Sequence, residues 1–223
     1  MHSCPLCHSD ACELYHSEPV RRWFRCPICT LVHLDPALRL SPEDERARYS
    51  HHENSADDPR YVGFLSRLAD PLVRRLRPGA HGVDFGCGPS PVLARMFTDA
   101  GFPCDAYDPF FFPDADLLSK QYDFVACSEV VEHVYDPAGI FTLFGRLLGP
   151  GGVLGVMTRF YGIDAPFSEW WYRRDPTHVC FYSEATMQWI AAHHGWSLDF
   201  PREDVTLFTL HRTADHGGDM LHR

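Results

Sequence analysis

Four cysteines near the start of the chain form two pairs, Cys4-Pro-Leu-Cys7 and Cys26-Pro-Ile-Cys29, with eighteen residues between them. Each C-x2-C turn aims two thiolates at one ion, and two such turns complete a tetrahedron. The spacing therefore predicts a structural zinc on Cys4, Cys7, Cys26 and Cys29. Four reduced thiols without metal are the plain alternative. A second group is Glu129-Val130-Val131-Glu132-His133. If this run is helical, positions i, i+3 and i+4 put both carboxylates and the imidazole on one face, suited to general-base or metal chemistry. The plain alternative is a solvated helix start whose acids suit the helix dipole. Because Val130, Val131 and Val134 require burial, the acidic face is expected to line a cleft. A third group, Glu169 to Val179, is dense in aromatic and cationic residues. It reads as a stacking and anion-binding wall, or as a satellite core under a long loop.

The elements that must position these groups follow from periodicity. Residues 1–40 read as a zinc ribbon with hairpin character, in which Arg21, Arg22 and Arg25 interleave with Trp23 and Phe24. That patch could stack on RNA, but the ribbon's four arginines are balanced by four acids, which suits a docking element or lid better. Loss of zinc is expected to unfold the ribbon and leave the rest intact. Residues 41–78 form a helical linker or lid: Ser41-Pro42-Glu43 starts one helix, and Tyr61 to Leu76 carries a second with a kink or restart at Pro71. From residue 79 to 212 strands and helices alternate. Strands are expected at His81–Phe85, Pro103–Tyr107, Tyr122–Ser128 and Val153–Thr158, with Gly149-Pro150-Gly151-Gly152 as a helix stop before the last. The closing pair, Trp196–Phe200 and Val205–His211, is too closely joined for a crossover helix and must be antiparallel. This is the pattern of an α/β, doubly wound, mostly parallel sheet. Residues 213–223 read as a disordered tail.

Composition narrows the classes. The chain has 223 residues, 45% of them hydrophobic, and a formal charge of −10. That is enough for one core with a small appendage and argues against a general nucleic-acid coat protein. No stretch has the length of a membrane span, and Cys4 and Cys7 fall where an export signal would need apolar residues, so a reducing cytoplasm is expected.

The loop Val83-Asp84-Phe85-Gly86-Cys87-Gly88-Pro89-Ser90-Pro91 sits at the first strand-to-helix turn. Its glycines let backbone approach a ligand, while Pro91 replaces the third glycine of a dinucleotide fingerprint. Asp108 closes the next strand, where an acid can accept both hydroxyls of an adenosine ribose. With Tyr107-Asp108-Pro109, Tyr122 to His133 and Leu147 to Gly152, this loop resembles the class I S-adenosylmethionine-dependent methyltransferases. The ribbon makes the chain similar to the bacterial subgroup with an N-terminal C-x2-C/C-x2-C motif. The resemblance implies a Rossmann-like fold, with Asp84, Gly86 and Gly88 at the methionyl end of S-adenosylmethionine and Asp108 at its ribose. Only thirteen residues separate Asp108 from Tyr122, too few for the helix, strand and adenine-reading acid usual there. The third strand is expected to be vestigial or missing, with Phe110-Phe111-Phe112 covering the adenine.

Glu129, Glu132 and His133 also match the E-x-x-E-H run of small-RNA 2′-O-methyltransferases and ubiquinone-pathway O-methyltransferases. That similarity implies a catalytic Mg²⁺, Mn²⁺ or Fe²⁺ on Glu129, Glu132, His133 and, as the fourth ligand, His178. Without metal, His133 or His178 would serve as a general base. The expected activity is methyl transfer to a small-molecule hydroxyl. The alternatives are an RNA acceptor or a non-catalytic, cofactor-binding interaction protein.

Overall fold

The computed structural model describes residues 3–49 and 55–211. The expected tail at 213–223 lies outside them. The ribbon supplies β1 (Glu13–Ser17), β2 (Arg22–Arg25) and β3 (Val32–Leu34), antiparallel in sequence order. Helix α1 (Pro42–Tyr49) follows, its first turn held by Ser41, whose Oγ accepts the Asp44 N–H at 3.2 Å. Helix α2 runs from Pro59 to Val73 and starts two residues before the first predicted position. Asp58 caps it by accepting the Arg60 N–H, and Pro59 occupies N1, where its missing N–H costs nothing. The helix continues through Pro71 without the expected restart. Leu65, Leu68 and Leu72 lie buried on one side of it, packed with Phe124 and Met157 of the sheet.

The sheet domain comprises β4 (Gly82–Phe85), α3 (Val92–Asp99), β5 (Cys104–Tyr107), β6 (Tyr122–Ser128), α4 (Pro137–Leu147), β7 (Leu148–Met157), the two-residue β8 (Cys180–Phe181), α5 (Glu184–His194), β9 (Trp196–Arg202) and β10 (Val205–Leu210). Six of these strands form a mixed sheet in the order β5-β4-β6-β7-β10-β9. The first four are parallel, and β10 runs antiparallel to both neighbours. This is an α/β Rossmann-like arrangement. β5 is an edge, and a short 3₁₀ turn at Ala115–Ser119 stands where a further strand and helix would have to fit. The glycine run Gly149–Gly152 ends α4 but also belongs to β7, absorbed as a register shift opposite β6.

The ribbon is less separate than its sequence suggests. β3 pairs with β8, so a second sheet, β1-β2-β3-β8, joins residues far apart in the chain. Cys4, Trp23 and Leu34 share one buried cluster with Phe141, Trp170 and Tyr182. Thr30, in the second cysteine turn, accepts the Tyr161 hydroxyl at 2.5 Å through its carbonyl, and its Oγ1 lies 2.9 Å from Thr186 Oγ1 in the first turn of α5. A unit this small has too little core of its own, and burial against the sheet domain supplies the remainder.

Candidate active site

A cleft of about 550 Å³ opens at the carboxyl ends of β4, β5 and β6. Open parallel sheets bind ligands there, because the strand-to-helix loops diverge at that edge. One side is mostly backbone. Gly86 and Gly88 have φ values of 77° and 65°, a region where a side chain is strained, and a Cβ on Gly86 would stand 2.5 Å from Val130 Cγ2. Asp108 locks this loop: its Oδ2 accepts the Gly88 N–H at 3.0 Å, and its Oδ1 accepts those of Phe110 and Phe111 at 2.8 and 3.1 Å. Tyr107, Pro109 and Phe110 line the cleft, whereas Asp108 is buried, its carboxylate taken up by those backbone N–H groups. Asp84 does not line it either. Its Oδ2 accepts the Ala94 N–H at 3.1 Å in the first turn of α3, and burial pushes its carboxyl up to about 7.

The other side is built from side chains. Ser128 ends β6, Glu129 takes a φ of 52°, and Val131–His133 forms one 3₁₀ turn instead of the α-helix on which a shared face depends. Glu132, His133 and His178 offer ligand atoms within 4.8 Å of one another, and Glu129 stands apart from that group. The imidazole rings lie 4.6 Å apart between centroids. His178 Nδ1 is 2.7 Å from the Tyr172 carbonyl oxygen and His133 Nδ1 is 3.1 Å from that of Thr177. A ring N–H donated to a carbonyl leaves Nε2 as the lone-pair atom, the arrangement typical of metal-binding histidines. Burial holds the His178 imidazole below its ordinary value, which favours the neutral ring.

Glu132 is wholly buried, and both its oxygens are engaged. The Thr158 hydroxyl donates to Oε2 at 2.9 Å and the Tyr172 hydroxyl approaches Oε1 at 2.5 Å. The same Tyr172 oxygen lies 3.1 Å from Glu129 Oε2, so one phenol bridges two carboxyl groups. Burial first, and then the charge of Glu132, pushes Glu129 well above the usual carboxylate range. Burial raises Glu132 as well, opposed mainly by His178. Thr158 and Tyr172 are functional neighbours that the sequence reading missed. Tyr172 drew attention only as part of an aromatic cluster, and nothing local marks Thr158.

That cluster divides. Trp170, Tyr172 and Arg173 are buried, while Trp171 is 59% exposed beneath the Arg159 guanidinium. Arg173 is committed inside the molecule, paired with Glu18 Oε1 at 2.6 Å and donating from Nε to the Phe167 carbonyl. The ribbon arginines are likewise engaged: Arg21 donates to the Arg173 carbonyl at 3.2 Å and Arg22 pairs with Asp35 at 2.6 Å. This side of the ribbon is therefore docked against the residue 167–174 segment.

The ribbon thiols are reduced and grouped: Cys4 Sγ lies 3.5 Å from Cys29 Sγ, and Cys7 Sγ 3.4 Å from Cys26 Sγ. Separations of this size suit four sulfurs around one ion, each about 2.3 Å from it. Among the described residues no helix is long and apolar enough to cross a membrane.

A family model described as a methyltransferase domain matches residues 52–199. Curated relatives include the ubiquinone biosynthesis O-methyltransferases of Erwinia tasmaniensis, 35% identical over 34% of this chain and 32% of the relative, and of Sodalis glossinidius, 30% identical over 55% of this chain and 47% of the relative. The chain thus spans less than half the length of these relatives. Among solved structures, it is similar in fold to the 1,6-didemethyltoxoflavin-N1-methyltransferase of Burkholderia thailandensis, solved with 1,6-didemethyltoxoflavin and S-adenosylhomocysteine bound. The TM-score is 0.53 at 14% identity, covering 89% of this chain and 99% of that one. An O-methyltransferase family protein from the same organism aligns with a TM-score of 0.51 at 12% identity, over 77% and 63% of the two chains. The match to residues 52–199, which span the glycine loop and the Glu132–His133–His178 group, places this chain in the methyltransferase-domain family.

Proposed function

We propose that the protein is an S-adenosylmethionine-dependent methyltransferase acting on a small-molecule hydroxyl, with a divalent metal at Glu132, His133 and His178 and a structural zinc on the four ribbon cysteines. The observation that carries this reading is one continuous cleft. It is lined both by the glycine loop and by Glu129, His133 and His178. A volume of about 550 Å³ suits a small acceptor beside a cofactor. The cofactor would supply an electrophilic methyl group on a sulfonium, and the metal would lower the pKa of the acceptor hydroxyl. The chain's own part is to bind, orient and exclude water. Gly86 and Gly88 keep the loop free of side chains, so backbone can approach the cofactor. Phe110, of the Phe110–Phe112 run, lines the cleft near Tyr107 and would cover the adenine. Thr158 and Tyr172 fix the Glu132 carboxylate, and two backbone carbonyls fix the histidine rings. Glu129 lines the cleft, and because burial raises its carboxyl it would receive the acceptor's proton only once ionised, so transfer should rise with pH.

Incubation with methyl-labelled S-adenosylmethionine and fractionated lysate tests the reading. Label is expected in the small-molecule fraction, lost in chelator and restored by Mg²⁺ or Mn²⁺ while the ribbon keeps its zinc. Label in RNA, or no transfer at all, would overturn the acceptor or the activity. Full transfer in chelator would remove the metal and leave the histidines as general bases.

A further inference from the structure

The ribbon holds a fifth thiol beside the four proposed to take zinc. Cys12 stands outside the group formed by Cys4, Cys7, Cys26 and Cys29, whose sulfurs lie within 4.8 Å of one another. β1 begins one residue after Cys12 and β2 ends one residue before Cys26, with Glu13 opposite Arg25 across the antiparallel pair. Carried one residue further, that register sets Cys12 opposite Cys26. Opposed residues of an antiparallel pair have Cα atoms about 4.5 or 5.5 Å apart, and a disulfide needs about 4.4–6.8 Å. The two side chains meet in hydrogen-bonding contact. Ser9 anchors this corner: its carbonyl oxygen accepts the Cys4 N–H at 2.9 Å and lies 3.9 Å from Cys12 Sγ. Accessibility separates the two sulfurs, since Cys26 is wholly buried and Cys12 half-buried.

A cysteine that reaches solvent and faces a zinc-bound thiolate across a ladder is placed for thiol–disulfide exchange. Resting on the structural-zinc reading, we propose that Cys12 is an oxidation site that closes a disulfide onto Cys26 and displaces the ribbon zinc. A small-molecule disulfide is the oxidant. Cys12 gives up its proton and attacks that disulfide as thiolate, so its S–S bond breaks, a mixed disulfide forms on Cys12 and one small thiol leaves with the proton. The Cys26 thiolate then attacks the Cys12 sulfur, forming the Cys12–Cys26 bond and releasing the second small thiol as thiolate. Two cysteine sulfurs are oxidised, and one small disulfide is reduced to two thiols. Zinc keeps only Cys4, Cys7 and Cys29, and a structural site short of its fourth ligand holds the ion less tightly. The four sulfurs also form close pairs of their own, Cys4 with Cys29 and Cys7 with Cys26, but bound zinc would occupy both members of each. Cys12 is the ribbon thiol left free to start the exchange.

The test treats the full chain, its ribbon loaded with zinc, with 2-hydroxyethyl disulfide. Zinc release is followed with a chromogenic chelator, and the bonds are mapped by iodoacetamide trapping, digestion and mass spectrometry. The expected first bond joins Cys12 to Cys26, with zinc lost in step with its formation. Cys12→Ser is expected to bind zinc in full when reduced and to release it at least about tenfold more slowly under the same treatment. A first bond between two of the four ligand cysteines overturns the inference, as does a Cys12 that is still alkylated once zinc has left. Release from Cys12→Ser at the native rate overturns it too, and so do zinc retained beside a Cys12–Cys26 bond, a reduced Cys12→Ser that takes up no zinc, and no reaction at all. Should Cys12→Ser fail to fold, the bond mapped in the native protein decides. A native chain that takes up no zinc overturns the structural-zinc reading, whereas zinc uptake followed by the wrong bond overturns only the role of Cys12.

Discussion

The two sides of the cleft are built on opposite principles. On the glycine-loop side, two successive strand ends supply the surface, and Asp108 ties their loops together through three backbone N–H groups. On the other side Glu45, Glu129, His133 and His178 arrive from distant segments, and Thr158 and Tyr172 hold Glu132 from behind. A backbone chain ties this side to the ribbon: the Leu34 N–H donates to the Val179 carbonyl, and the Val179 N–H to the Glu132 carbonyl, each at 2.8 Å. The glycine-loop side is thus locally encoded, and the proposed acceptor side depends on tertiary contacts, the ribbon among them. Damage to the ribbon should reach the acceptor side, while damage to the glycine loop should stay with the cofactor.

The largest expected effect comes from Cys26→Ser. Structural zinc contributes roughly 10 kcal/mol or more in small metal-dependent units, and here the ribbon shares a core with the sheet domain. Thermal unfolding should therefore move to much lower temperature as one transition. Two transitions, with the sheet domain untouched, would make the ribbon an independent unit and cut the proposed link.

Gly86→Val is next. A left-handed φ and a 2.5 Å approach to Val130 should together cost about 3 kcal/mol, read as a loss of about 100-fold in S-adenosylhomocysteine affinity or as an equivalent fall in stability. Isothermal titration with wild-type affinity would show that the loop does not hold the cofactor.

Asp84 gives a pH-dependent test of the buried support under the glycine loop. Its folded pKa is raised, by burial, from 3.8 to about 7. The folded state therefore binds the proton more tightly than the unfolded chain, and stability is lost as pH rises through that interval. Asp84→Asn keeps an acceptor for the Ala94 N–H without this liability. Its stability advantage over the native chain should grow by about 3 kcal/mol between pH 5 and pH 8 in denaturant titrations. A difference that does not change with pH would mean that Asp84 carries no such penalty.

The smallest effect is expected from Tyr172→Phe, which removes the hydroxyl between the Glu129 and Glu132 carboxyl groups and should cost about 2 kcal/mol of stability. It should also weaken Mn²⁺ binding about tenfold, read by electron paramagnetic resonance, because Glu132 loses a partner that orients it. Unchanged Mn²⁺ affinity would limit Tyr172 to a packing role.

This contrast also explains what could be read in the sequence. The strand-to-helix alternation, the shortage of residues before Tyr122 and the short join before Val205 are local features, and from them the parallel strands, the missing third strand and the antiparallel closing pair follow. The acceptor side resisted. Tyr172 lies forty residues from Glu132 and Thr158 twenty-six, with no periodicity linking them. β8 has only two residues, too few to register as a strand, yet it is where the ribbon attaches. Helical spacing joined Glu129 to Glu132 and His133 on one face, whereas a left-handed backbone at Glu129 and the 3₁₀ turn after it take the place of that helix. Apolar periodicity marked α2 but gave no sign that Tyr61 and Phe64 would reach the cleft.

A crystal structure of the protein with S-adenosylhomocysteine and Mn²⁺, recorded with anomalous scattering, tests the central claim most directly. The expected result is S-adenosylhomocysteine against Gly86 and Gly88 and an anomalous peak among Glu132, His133 and His178, both within the same cleft. S-adenosylhomocysteine bound elsewhere, or manganese absent from that group under saturating conditions, would contradict the assignment of one side to the cofactor and the other to a metal-assisted acceptor.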